Sequence, residues 1–143
     1  MLIGQYESRI GAKRRVAVPV KVRKELGTKL IIARWYENSL VLSNPKGWEE
    51  LMKRLTAKLS TLTASVRDTD RFILGGAYEV ELDYQGRIIV PGLLVDHAAL
   101  TGNTIFVGLG DRVEIWDKAK WEKREKEIAE YAGYLVENIS KNA

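Results

Sequence analysis

The chain contains no cysteine and only one histidine, His97, among its 143 residues. The absence of thiols excludes disulfides and thiolate metal sites, and it argues against an oxidising compartment. One imidazole alone builds neither a histidine-rich metal site nor an ordinary Ser-His-Asp triad. No paired carboxylates and no nucleophile–base set are legible, so we expect no enzyme, no cofactor, no metal and no small-molecule substrate.

Long apolar runs are also missing. No stretch approaches the ~20 apolar residues that a membrane helix needs, and the first residues lack the basic and apolar regions of a signal peptide. Hydrophobic residues make up 45% of the chain and charged residues 29%, which is ordinary for a folded cytosolic protein. We therefore expect a cytoplasmic protein without a membrane partner.

Acidic residues are scarce in the first quarter of the chain. Residues 1–36 contain nine Lys or Arg but only Glu7 and Glu25 as acids, a local net charge of +7 in a chain whose total is +4. This asymmetry suggests a basic face offered to a polyanion. Charge alone leaves open the alternative of an ordinary solvated basic surface.

The chain repeats itself at a shift of 72 or 73 residues. Each half is predicted to contain a strand, a basic turn, a strand that ends at proline, a short helix, two strands and a helix that opens with Trp-Glu. The matched pairs include Tyr6 with Tyr78, Arg15 with Arg87, Pro19 with Pro91, Ile32 with Ile105 and Trp48 with Trp121.

Two helical regions lie outside this shared pattern. An apolar stripe predicts a helix that links the halves, followed by a second helical piece over 68–74, and a further stripe predicts a long C-terminal helix capped by Asp117. The first stripe is Leu51, Leu55, Leu59, Leu62 and Val66, and the last is Trp121, Ile128, Tyr131, Leu135 and Ile139.

Each half has only about 45 residues outside its linking helix, which is too few to bury a sound core alone. We therefore expect one shared globular unit of mixed α+β class, a pseudo-two-fold β barrel built from both halves with helices outside. The predicted divisions are 1–50 and 77–122 for the two repeats, 51–76 for the linking helices and 123–143 for the C-terminal helix.

The turn Asp83-Tyr84-Gln85-Gly86-Arg87 is the first candidate site. Gly86 suits a position with positive φ, and Asp83 can form an Asx turn and pair with Arg87. The Arg87 guanidinium would then be free to grip a phosphate or the edge of guanine in a bidentate manner. Taken alone, the turn is better explained as a hairpin in which the Asp–Arg pair only gives rigidity.

The matching turn in the first half carries Lys13, Arg14 and Arg15 in succession. A turn kept only for rigidity has no need of three adjacent cations, whose mutual repulsion is costly without an anion nearby. We expect the two turns to lie together at one end of the barrel.

Four segments of the chain are distinctive: the start M-L-I-G-Q-Y, the D-x-x-G-R turn followed by apolar residues and proline, R-W-Y-E-N-S-L-V-L, and V-E-I-W-D-K-A-K-W-E. Together they resemble the MraZ family. The resemblance covers nearly the whole chain. It implies an AbrB-like double-split (swapped-hairpin) β barrel, made of SpoVT-AbrB repeats. It also implies a DNA-binding transcriptional regulator of the division and cell-wall gene cluster, associated with the nucleoid and assembled into rings on short G-rich direct repeats.

The resemblance also implies roles for single residues. Arg15 and Arg87 would face base edges of promoter DNA, whereas Lys13 and Arg14 would meet phosphates. Asp83 and Gly86 match the family motif, but the first half has Gly11 where Asp is expected and Arg14 where Gly is expected. Arg14 is uncommon at positive φ, so either it adds a phosphate contact, the reading we favour, or the first site is degraded.

Two functions remain open at this stage. The first is a regulator, acting as a repressor, that binds double-stranded promoter DNA as a ring-shaped homo-oligomer. The second is an oligomeric interaction scaffold whose basic loops bind RNA or an acidic protein. Only the first requires that binding depend on base sequence.

Overall fold

The computed structural model describes residues 1–56 and 63–142. The order of elements in each half is the predicted one. The first half contains β1 (Leu2–Arg9), β2 (Arg15–Ala17), α1 (Val20–Leu26), β3 (Lys29–Arg34), β4 (Leu40–Ser43) and α2 (Pro45–Thr56); after α3 (Ala64–Ile73), the second contains β5 (Tyr78–Glu81), β6 (Arg87–Ile89), α4 (Gly92–Ala98), β7 (Asn103–Gly110), β8 (Val113–Asp117) and α5 (Lys118–Asn142).

The linking region differs from its prediction. Thr63 has extended backbone angles, and its hydroxyl oxygen accepts a hydrogen bond from the Val66 amide at 3.3 Å, so it caps a new helix, α3. Val66 therefore belongs to α3, which also starts earlier than the predicted 68–74. Leu59 and Leu62 of the predicted stripe lie outside the described residues.

The strands form two antiparallel sheets. One has six strands in the order β1-β7-β8-β4-β3-β5, and the other is a two-stranded ribbon of β2 and β6. Each strand of one half has a counterpart in the other: β1 matches β5, β3 matches β7 and β4 matches β8. Exchanging these counterparts gives the same strand order read from the opposite edge of the sheet. In the described residues β1 and β5 are the two edges of the large sheet, so hydrogen-bonded ladders do not close the expected barrel.

The main hydrophobic core draws on both halves. Val16 and Ile88 of the ribbon pack against strands of the large sheet, and both are almost fully buried. The other fully buried large side chains of this core include Leu30, Ile32, Leu40, Leu42, Phe106 and Ile115. Burying each such side chain contributes about 1.5–3 kcal/mol. The ribbon and the large sheet therefore stabilise each other.

The helix α5 is anchored at its start and uncovered further on. Trp121 is buried with Trp116, and its indole N–H donates to Gln5 Oε1 at 3.0 Å. Asp117 Oδ2 accepts from the Lys120 amide at 3.4 Å, as expected of a cap. The four members of the predicted stripe beyond the anchor are exposed, as are Tyr134 and Val136; the four are Ile128, Tyr131, Leu135 and Ile139. None of the helices in the described ranges has both the length and the apolarity to cross a bilayer.

Candidate nucleic-acid interface

The ribbon brings two of the predicted residues onto one surface. Arg15 pairs with Ile89, Val16 with Ile88 and Ala17 with Arg87. Because side chains alternate along a strand, the burial of Val16 and Ile88 places their neighbours on the outward face. Arg15 and Arg87 are therefore diagonal neighbours on that face, and both line one shallow depression of about 310 Å³.

The turns themselves are arranged differently from the prediction. Since β2 and β6 run antiparallel, the turn before Arg15 and the turn before Arg87 lie at opposite ends of the ribbon. The expected cluster of two turns is thus replaced by one ribbon face with a turn at each end. The three-residue strands keep this separation short, about 7 Å along the strand direction.

The second turn has the hydrogen bonds of an Asx turn. Asp83 Oδ1 accepts from the amides of Gln85 at 2.8 Å and Arg87 at 2.9 Å, while Oδ2 accepts from Arg87 Nε at 3.1 Å. The backbone bond from Arg87 contributes most to holding the pKa of Asp83 below its ordinary value. The carboxylate therefore orders both the backbone of the turn and the guanidinium that follows it.

Gly86 is favoured by its φ of +76°, which residues with a side chain rarely adopt. A Cβ added to it would meet the end of the Arg23 side chain, which would have to shift. Arg23, on α1, thus packs directly over the turn from the other half of the chain. Sequence reasoning missed this residue, since its only signal was a cation on a short helix.

The first turn shares some backbone features with the second but has a different conformation, because Lys13 and Arg14 both have positive φ whereas Gln85, which matches Lys13, does not. Arg14 has a φ of 59° at the position that matches Gly86. The Gly11 amide donates to Arg15 O at 2.9 Å, as the Asp83 amide does to Arg87 O at 2.9 Å. Arg14 Nε donates to Val90 O at 2.9 Å, so its guanidinium lies against the ribbon.

The cations of this face are poorly compensated by acids. Across residues 1–56 and 63–142, neither Lys13 nor Arg15 has a hydrogen-bond or ion-pair partner for its side chain. Arg87 has Asp83. The described residues contain no group of three or more His, Cys, Asp or Glu side chains able to hold a metal ion. The surface is therefore suited to an anion that the described residues do not provide.

The fold and this surface define a small mixed α/β protein in which two similar halves exchange strands around a basic ribbon. A family model described as "MraZ protein, putative antitoxin-like" matches residues 73–133. The protein named transcriptional regulator MraZ from Thermoanaerobacter sp. (strain X514) is 44% identical over 126 residues, which cover 86% of this chain and 85% of the relative.

Two further relatives carry the same name. The protein from Caldanaerobacter subterraneus subsp. tengcongensis is 41% identical over 141 residues, covering 92% of this chain and 96% of the relative. The protein from Moorella thermoacetica is 37% identical over 139 residues, covering 97% of this chain and 96% of the relative. This chain belongs to the MraZ family.

The positive φ of Arg14 predicts a difference between two substitutions at that position. Arg14→Gly and Arg14→Ala both remove the bond to Val90 O, but only glycine adopts φ of 59° without steric cost. We expect the glycine variant to be more stable than the alanine variant by about 1 kcal/mol. Urea denaturation measures the difference, and equal stabilities would show that this turn is not strained.

The hydrogen bonds of Asp83 predict its titration. Its pKa should lie below 3.8, and it should stay below that value in Arg87→Ala, because the backbone amides of residues 85 and 87 remain. Because the pKa of this carboxyl is lower in the folded state, its ionisation stabilises the fold fully at pH values above its pKa in the unfolded chain. This contribution is lost as the pH falls through its pKa in the folded protein. Carbon-detected NMR titration of the Asp83 carboxyl tests this, and a return to 3.8 in the variant would assign the shift to the guanidinium instead.

Proposed function

We propose that this chain is a sequence-specific, DNA-binding transcriptional regulator that acts without enzymatic chemistry. The observation that carries the proposal is the outward ribbon face, on which Arg15 and Arg87 line one depression with no acid opposite Arg15 among the described residues. The names of the relatives, transcriptional regulators, support the same function. Positively charged surfaces of this kind bind the phosphate backbone of nucleic acids.

The cations divide into two groups by their geometry. Lys13 is exposed at the end of the ribbon, and Arg14 lies beside it, so both serve as phosphate contacts. Arg15 and Arg87 are the first residues of the two ribbon strands, project from the outward face and read base edges. Asp83 and Gly86 contribute by shaping the turn that aims Arg87.

The target follows from arginine chemistry and from the family resemblance. A guanidinium donates two parallel hydrogen bonds to O6 and N7 of guanine, the commonest specific contact in the major groove. We therefore take the operator to be a set of G-rich direct repeats in the promoter of the division and cell-wall gene cluster. Occupying this promoter at the nucleoid would obstruct the polymerase and repress transcription.

The arrangement of the two repeats and the assembly of subunits are part of the proposed function. The palindromic strand order supports a pseudo-two-fold, swapped-hairpin barrel made of two SpoVT-AbrB repeats, 1–50 and 77–122. One ribbon face offers few contacts, so a lone subunit would bind weakly. Several subunits in a ring would engage tandem repeats together, and avidity would raise the affinity without new contacts.

An exposed apolar surface supports assembly. The stripe on α5, from Ile128 to Ile139, is left uncovered by the rest of the described chain, and a neighbouring copy could bury it. Electron microscopy of the purified protein, with and without promoter DNA, tests the assembly. Closed rings that lie on the repeats are expected, whereas uniform monomers in both samples would contradict the ring.

Removing either ribbon arginine should weaken DNA binding without unfolding the protein. A good arginine–guanine pair is worth about 1–3 kcal/mol, so Arg15→Ala or Arg87→Ala should lower affinity for a G-repeat duplex about tenfold. Both side chains are partly exposed, so the melting temperature should hardly change. Fluorescence anisotropy with labelled duplexes measures the affinity.

The control for charge is Arg71→Ala. Arg71 is an exposed arginine of α3, paired with Asp68, and its loss removes the same charge from another element. Affinities for a scrambled duplex and for RNA complete the comparison. Equal binding to all three nucleic acids would favour the scaffold for RNA or an acidic protein, and unchanged affinity in both ribbon variants would refute their role.

A further inference from the structure

A third arginine reaches the depression on the ribbon face. The depression is lined by Arg9, Gly11, Ala12, Arg15, Ala17 and Arg87. Arg9 is the last residue of β1 and is exposed. No motif contains it, because it stands alone in the sequence, six positions before Arg15. All the ionisable residues that line the depression are therefore arginines.

The strand pairing explains why these side chains converge. Ile10 pairs with Val16 across an isolated antiparallel bridge, which puts Arg9 alongside Ala17. Ala17 in turn pairs with Arg87. Two arginines thus flank a methyl group across three neighbouring strand segments. The small side chain in the middle leaves the space that forms the depression.

Two of these three arginines, Arg9 and Arg15, have no carboxylate partner within the described residues, and Arg87 has only Asp83. Arg9 Nη1 has a long hydrogen bond, 3.4 Å, to the amide oxygen of Asn103, and Arg15 has no side-chain partner within the described part of the chain. Asp83 occupies only Nε of Arg87, so the outer edge of that guanidinium remains free. Four arginines elsewhere in the described chain are paired with carboxylates, namely Arg54, Arg71, Arg112 and Arg124.

We propose that Arg9, Arg15 and Arg87 together hold one phosphate group above Ala17, and that this group is a phosphodiester of bound DNA. This inference rests on the proposed function and adds Arg9 to its contacts. Guanidinium forks match phosphate oxygens in a bidentate manner, and three of them around one depression fix its position. Arg15 and Arg87 would thereby fix the position of the ribbon along the DNA backbone, while their remaining N–H donors reach a neighbouring base.

The first experiment uses inorganic phosphate as the probe. The Nε–H resonances of Arg9, Arg15 and Arg87 are followed by NMR as phosphate is added, with sodium chloride at matched ionic strength as the control. We expect the three to shift together with one dissociation constant, while Arg71 stays unchanged. Ala17→Leu, which fills the depression without changing charge at an exposed position, should abolish the shared shift.

The second experiment uses duplex DNA. Arg9→Ala should weaken binding roughly tenfold on the G-repeat duplex and by the same factor on a scrambled duplex, because a phosphate contact carries no base information. The slope of log affinity against log salt should fall by about 0.9, the value for one neutralised phosphate. Arg71→Ala should change neither quantity.

The outcomes separate this inference from the proposed function. If Arg15→Ala and Arg87→Ala weaken operator binding but Arg9→Ala and Ala17→Leu do not, the phosphate site is wrong and the regulator stands. If phosphate shifts the resonances of the three arginines but the protein binds no duplex, the site holds free phosphate. The assignment of the phosphate to DNA and the proposed function would then both be wrong. Loss of affinity for only the G-repeat duplex in Arg9→Ala would overturn the phosphate role in favour of base contact.

Discussion

The pairing of β2 with β6 is the interaction on which the rest of the structure depends. Three residues from each half, Arg15–Ala17 and Arg87–Ile89, form a ribbon whose inner side chains, Val16 and Ile88, enter the common core. Because both inner residues are buried, register is fixed, since a slip by one residue would turn them outward. The same constraint sets the arginines on the solvent side, so packing and the candidate interface have a single cause.

Local sequence patterns were sufficient to predict the order of elements and the conformation of the second turn. The alternation of apolar and polar residues, the prolines that end strands and the 72-residue repeat can all be read directly from the sequence. The Asx turn depends only on residues 83–87. The sheet order, the two edges and the opposite placement of the turns depend on which distant strands pair, which no short window contains. Arg9 and Arg23 were missed for the same reason, because each meets the ribbon through another element.

The two turns share positive φ at one matched position, 14 and 86, and differ at the position before it, where Lys13 has positive φ and Gln85 does not. Glycine satisfies the positive φ at position 86, and Arg23 then packs over it. The first turn accepts an arginine at φ of 59°, which offers an additional cation where the chain is already basic. Departures from local preference of this kind are typical of functional surfaces, where the surrounding structure holds a residue in a conformation that it would otherwise avoid.

The exchange of strands between the halves also determines when the protein can fold. Leu2 pairs with Gly110 and Arg9 with Asn103, so the ladder partners of β1 lie 94 to 108 positions later in the chain. During synthesis on the ribosome, the first strand emerges long before its ladder partner, β7, exists. The apolar side chains of the nascent first half that β7 later covers must therefore stay out of contact with other chains until residues 103–110 have been made, which makes chaperone capture and synthesis rate relevant to its yield.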